Sequence, residues 1–271
     1  MKKVILITGA SSGMGKETAK QLIKEGHTVY TVARRIEQMQ DLKQLGGLPM
    51  QMDVTNEADI EQVVNTIIRK EGKIDVLWNN AGYGLYGAVE DVPLSEAVKQ
   101  FNVNVFGVAA VTQKVVPHMR KVKSGTIINT SSMGGKMYFP LGAWYHASKH
   151  ALEGFSDCLR LELKPFNINV VLIEPGLIAT EFGSTLIDGL NKISKQSAYS
   201  DTMKKIVDGT RKTYETNSSS KPSVVSNTIS KIVSSQKPKT RYRIGKMAKP
   251  LVWMRIYLGD RLFDKVVTSQ L

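Results

Sequence analysis

The chain has 271 residues, 42% hydrophobic and 23% charged, which is enough apolar material for one sizeable core and too much for a disordered polar chain. Its formal charge of +13 is uneven: residues 1–180 carry 20 basic and 17 acidic side chains, whereas residues 181–271 carry 17 and 7, so an anionic partner or surface is to be sought in the last third. The single cysteine, Cys158, excludes an intrachain disulfide and a cysteine-rich zinc site, and points to a reducing, cytoplasmic setting.

From the N-terminus, Lys2 and Lys3 precede only four apolar residues before Thr8-Gly9, too few for a secretory h-region. No stretch of about 18 apolar residues follows anywhere, so no transmembrane helix is expected. Hydrophobic periodicity predicts a strand over Val4–Thr8, a helix over 13–25, a strand over Thr28–Ala33, a short strand over 51–54 and a helix over Glu57–Glu71. A strand at 74–78, a long helix at 95–122, a strand at 126–130, a helix at 144–164 and a strand at 169–174 continue the alternation. Repeated strand–helix–strand units predict a doubly wound parallel α/β sheet of Rossmann type, helices on both faces. Beyond Gly176 the alternation fails: 181–215 suits one or two loosely amphipathic helices, 223–233 a helix, 242–245 a last strand and 251–267 a final helix. The polar run 216–222 is the only linker-like composition, too short to divide the chain. The expectation is one domain over 1–271, with 181–221 as a substrate lid and 246–271 as a helical extension.

Chemistry concentrates at strand ends. Strand one runs into Thr8-Gly9-Ala10-Ser11-Ser12-Gly13-Met14-Gly15 and then a helix, so Gly9, Ser11, Ser12, Gly13, Met14 and Gly15 can bring backbone N–H groups and a helix N-terminus against a pyrophosphate; the glycines could also serve only a tight turn. Strand two ends in Ala33-Arg34-Arg35. With no carboxylate there for a ribose 2′-hydroxyl, the guanidiniums of Arg34 and Arg35 suit a 2′-phosphate, favouring NADP(H), unless they form an ordinary solvated turn. Tyr145 and Lys149, four apart on a helix, share one face. His118, His146 and His150 are scattered and unaccompanied by thiols, so no metal is expected.

Taken together, T-G-x-x-x-G-x-G, Asn79-Asn80-Ala81-Gly82, a helix asparagine, Ser132, Tyr145, Lys149 and Pro175-Gly176 resemble the short-chain dehydrogenase/reductase family over roughly residues 1–180, with Ser132 thirteen positions before Tyr145. The resemblance implies a catalytic set of Asn104, Ser132, Tyr145 and Lys149. Tyr145 would be the general acid/base, and Ser132 would hold the reacting oxygen. Lys149 would bind the nicotinamide ribose and lower the Tyr145 pKa, and Asn104, preferred over Asn102, would hold a water beside Lys149. It further implies that Asp53 and Val54 meet the adenine, that Asn80, Ala81 and Gly82 pass the adenosine ribose, and that Pro175, Gly176, Ile178 and Thr180 border the nicotinamide. Asp53 could instead cap a local turn. A homodimer or homotetramer is implied as well.

On the substrate side, Met133, Met137, Phe139, Leu141, Trp144, Phe182, Leu186 and Leu190 could line a pocket for a bulky, mainly apolar carbonyl or alcohol, or pack a loop onto the core. The tail resembles the hydroxysteroid and retinol dehydrogenase-like branch. The expected activity is an NADP(H)-dependent oxidoreductase on ketone, aldehyde or alcohol, with a ketoacyl-thioester reductase or a non-catalytic dinucleotide sensor as alternatives. No nucleic-acid motif is present, so no nucleic-acid partner is expected. The basic, apolar segment 251–267 either lies on an anionic membrane or is buried against the lid or a second subunit, and burial is the favoured expectation.

Overall fold

A computed structural model describes residues 1–193, 197–216 and 218–269. Seven strands, β1 (Val4–Thr8), β2 (Thr28–Ala33), β3 (Leu48–Gln51), β4 (Val76–Asn79), β5 (Gly125–Thr130), β6 (Ile168–Pro175) and β7 (Arg241–Ile244), form one sheet in the order β3-β2-β1-β4-β5-β6-β7, every neighbouring pair parallel. The order reverses between β1 and β4, and loops leaving their C-terminal ends diverge to open a crevice there. All five residues of β1 are buried, as a central strand covered on both faces demands.

Helices α1 (Gly13–Lys24), α2 (Gln40–Gln44), α3 (Glu57–Glu71), α4 (Leu94–Phe101), α5 (Val108–Lys121), α6 (Ala143–Leu163), α7 (Phe182–Ile193), α8 (Ser200–Glu215) and α9 (Ser223–Ser234) follow, and α10 (Ala248–Tyr257) and α11 (Gly259–Thr268) end the fold. Local signals explain α3 well. Asn56 caps it by accepting from the N–H groups of Ala58 and Asp59, Ile60, Val63, Val64 and Ile67 make its buried stripe, and Gly72 at φ +72° closes it. One sheet face packs Ile5, Ile7 and Trp78 against α1 and α9; the other packs Leu6, Leu77 and Ile127 against α3, α5 and α6.

Several predicted elements shift. The strand expected at 51–54 lies at Leu48–Gln51, because residues from Asp53 turn away: Asp53 Oδ1 accepts from the Thr55 N–H and hydroxyl. The short helical stretch Ile36–Met39 and α2 were not anticipated, since only Met39 and Leu42 of them are buried. The helix expected at 95–122 is interrupted by a π-helical stretch at Asn102–Gly107. The final helix is two, broken at Gly259 (φ +72°).

Within the expected linker 216–222, Asn217 lies outside the described residues. Next to it, Ser220 bonds both Leu177 and Ala179 through its backbone, fastening this stretch to the loop after β6.

Candidate active site

The crevice is assembled by close backbone approaches. Gly9 stands at φ +67° and Gly13 at φ +53°, where a side chain is strained. A Cβ on Gly15 would lie 2.4 Å from the Gly9 carbonyl oxygen and 2.6 Å from Asn80 Nδ2, so glycine there is a packing requirement. Asn80 Nδ2 donates to the carbonyls of Thr8 and Gly9, while Thr8 Oγ1 accepts from the Asn80 and Ala81 N–H groups. The β4 end and the glycine turn are thereby one rigid unit. A Cβ on Gly13 would lie 3.4 Å from Thr180, so the loop after β6 folds over the start of α1, whose first turn carries no acidic side chain.

These surroundings fit a dinucleotide. The glycine turn leaves a cradle that a side chain would fill, and a Cβ on exposed Gly82 would stand 3.0 Å from Asn104 Oδ1 and 3.6 Å from Lys149 Nζ. At the end of β2, Arg34 and Arg35 are exposed and pair with no carboxylate among the described residues. The nearby acid Asp41 is already held by Lys16 and Lys20, each at 3.0 Å. Asp53 and Val54 are half-buried at the crevice edge, with Asp53 bonding its own turn as well.

Beyond the crevice, Ser132, Tyr145 and Lys149 are all buried, 9%, 8% and 6% exposed, although each carries a polar group. Ser132 Oγ accepts from the Gly134 N–H at 3.0 Å, which leaves its own proton to donate. Lys149 Nζ donates to the Thr130 carbonyl at 2.8 Å and lies 6.0 Å from the Tyr145 ring centre. The π-helical stretch turns Asn104 inward, 1% exposed, and leaves Asn102 outside. Asn104 Oδ1 accepts from the Tyr83 N–H, and its Nδ2 donates to the Tyr83 carbonyl and to Ser148 Oγ.

Burial pushes the Tyr145 phenol up to about 12, opposed by its hydrogen bond with Ser132. The same desolvation pulls Lys149 down to about 8, with the Glu153 charge opposing it.

Two participants escaped the sequence reading. His146, considered in the sequence only as a metal ligand, is 5% exposed: its Nδ1 bonds the Gly134 carbonyl at 3.0 Å and its Nε2 accepts from the Phe139 N–H at 3.0 Å. It therefore clips the loop that carries Ser132 to the helix that carries Tyr145, and Gly134 and Gly142 are pressed against its ring. Burial holds it down at about 4, so it is neutral with the proton on Nδ1. Tyr86 is the other, its ring 5.6 Å from that of Tyr145, with Phe182 at 5.5 Å on α7. Only the glycines flanking the Tyr145 helix start hinted at so tight a packing.

The expected substrate-side residues divide. Met133, Met137 and Phe139 pack under α10 and α11, whereas Leu141, Phe182, Leu186 and Leu190 join Tyr86 and Met203 in a separate cluster over the cleft. A 620 Å³ cavity lined by Gly87, Ala88, Pro140, Leu141, Ala143 and Tyr199 opens beside it. Among the described residues no group of three or more His, Cys, Asp or Glu is placed to hold a metal, and no helix is long and apolar enough to cross a membrane.

The family model described as short chain dehydrogenase matches residues 3–191. A 3-ketodihydrosphingosine reductase of Bacteroides thetaiotaomicron is 39% identical over 251 residues, covering 92% of this chain and 90% of that protein. Among solved structures, a short-chain dehydrogenase from Streptomyces avermitilis superimposes with a TM-score of 0.79 at 32% identity, over 98% of this chain and 97% of its own. The closed form of a serine dehydrogenase complexed with NADP+ has the same TM-score at 28% identity, over 91% and 96%.

Proposed function

The chain belongs to the short chain dehydrogenase family, and from that premise we propose that it is an NADPH-dependent reductase of a ketone carried on a bulky, mainly apolar molecule. The observation that carries this reading is the buried Tyr145 hydroxyl beside Ser132, with an aromatic wall of Tyr86 and Phe182. When bound, the reduced nicotinamide supplies a hydride to the carbonyl carbon. Ser132 turns its hydroxyl proton as a hydrogen bond to the carbonyl oxygen, and Tyr145 gives its proton to that oxygen as negative charge develops. Lys149, next to exposed Gly82, binds the ribose and favours the phenolate left behind. Backbone at Gly9, Ser11, Ser12, Gly13, Met14 and Gly15 holds the pyrophosphate, and Arg34 and Arg35 take the 2′-phosphate. Asp53 and Val54 border the adenine, Asn80, Ala81 and Gly82 the adenosine ribose, and Pro175, Gly176, Ile178 and Thr180 the nicotinamide.

Helices α7 and α8 act as the lid, since their apolar cluster sits over Tyr86 and Leu141. The name of the Bacteroides relative supports a long-chain ketone as the substrate class. NADPH consumption measured against long-chain ketones, cyclic ketones and acyl thioesters tests the reading: turnover on the ketones is expected, and no turnover on any of them removes it. We also propose that exposed Val98 on α4, Phe106 in the π-helical stretch and Leu161 on α6 pair two copies of the chain. Sedimentation as a 30.0 kDa species at micromolar concentration would contradict that pairing.

A further inference from the structure

The last two helices bury one side and leave the other open. Leu251, Val252, Phe263 and Val267 pack on Met133 and Met137, the loop that carries Ser132. On the opposite side Trp253 is 53% exposed, Ile256 50%, Tyr257 69% and Leu262 47%, and the Trp253 and Tyr257 rings meet at 5.6 Å, tilted by 41°. Lys249, Trp253, Ile256 and Tyr257 follow helical spacing on one face of α10. Exposed Arg261 and Lys265 lie together on α11, one turn apart.

Cations outnumber acids here, and the acids are taken. The two acidic side chains of the segment are exposed but each already has a partner: Asp260 pairs with Arg255 at 2.8 Å, and Asp264 accepts from the Tyr138 hydroxyl at 2.9 Å. Arg255 also stacks over the Tyr138 ring at 5.2 Å. Lys246, Lys249, Arg261 and Lys265 are exposed and engage no carboxylate among the described residues. An exposed tryptophan and tyrosine with branched apolar neighbours, rimmed by unpaired cations, matches the interfacial layer of an anionic bilayer: apolar bodies enter the acyl boundary while ammonium and guanidinium groups meet lipid phosphates.

We propose that α10 and α11 seat this protein peripherally on anionic membrane, with Trp253, Ile256, Tyr257 and Leu262 entering the interface and Lys249, Arg261 and Lys265 contacting headgroups. The inference stands on this face alone and does not depend on which carbonyl the cleft accepts. A second copy of the chain is the competing occupant. The local excess of cations argues against it, because a twofold contact would set like charges against each other.

Co-sedimentation with phosphatidylcholine vesicles, with and without phosphatidylglycerol, tests it. Retention should require phosphatidylglycerol and fade as salt rises, because the attraction is screened within a Debye length of about 8 Å at physiological ionic strength. Trp253→Ser with Tyr257→Ser should weaken retention at least about tenfold, and Arg261→Glu with Lys265→Glu should do likewise, thermal melting confirming that each variant is folded. No retention of the parent protein, or equal retention without phosphatidylglycerol, would overturn the proposal. So would a change of oligomeric state in the Trp253→Ser, Tyr257→Ser variant without vesicle binding, which would assign the face to a subunit contact.

Discussion

The crevice at the glycine turn and the C-terminal third meet at the same cleft yet are built by opposite means. In the crevice, main chains approach so closely that single atoms decide identity: Gly15 has the Gly9 carbonyl where its Cβ would be, and Asn80 spans two carbonyls. In the C-terminal third, contact is between side chains of loosely specified size, Leu186, Leu190, Met203 and Val207 in one cluster and Leu251, Val252, Phe263 and Val267 in another. Steric exclusion admits one residue type, whereas apolar packing admits many of similar volume. The first region is suited to a fixed ligand and the second to a variable one.

The sharpest way to break that contrast is at the junction. Tyr145→Phe should lower turnover about a thousandfold, the range a positioned general acid supplies, while NADPH affinity measured by fluorescence titration changes less than about threefold. Substantial retained turnover on every accepted substrate would remove Tyr145 from its role.

Gly15→Ala should be far more damaging than a comparable change on α8. Its Cβ must displace backbone, so a loss of roughly 2–4 kcal/mol in denaturant unfolding is expected together with weakened NADPH binding. Val207→Ala on α8 should cost less, about 1–2 kcal/mol, because the neighbouring side chains can relax. Equal losses would mean that the two regions are equally tolerant.

His146 links the regions and adds a pH signature. Its pKa falls from 6.5 to about 4 on folding, so between those values the unfolded chain binds more protons and stability rises with pH. This contribution is complete above about pH 6.5 and is lost as pH falls towards 4. It amounts to at most about 3 kcal/mol. Melting curves across that window should therefore be steeper in pH for the parent than for His146→Gln, and identical slopes would remove the clip.

The smallest expected effect is on cofactor choice. Arg34→Ala should reduce the preference for NADPH over NADH about tenfold, near 1.4 kcal/mol, as read from the two dissociation constants. Equal affinities for the two cofactors in the parent would dispose of the 2′-phosphate assignment.

What could be read directly from the sequence was whatever local chemistry dictates at short range. The alternation of β-branched runs with helical periods announced the parallel sheet; the spacing of Gly9, Gly13 and Gly15, and of Tyr145 and Lys149, announced the crevice and its polar pair. Each follows from a chain geometry of fixed period, so it is written within a few residues. Only the tertiary structure decided that Asn104 faces inward from a π-helical stretch, that β3 begins at Leu48, that His146 joins Gly134 to Phe139, and that α10 and α11 divide at Gly259 with Trp253 left outside. Those outcomes depend on partners distant in sequence competing for the same buried space and hydrogen bonds. No local period records that competition.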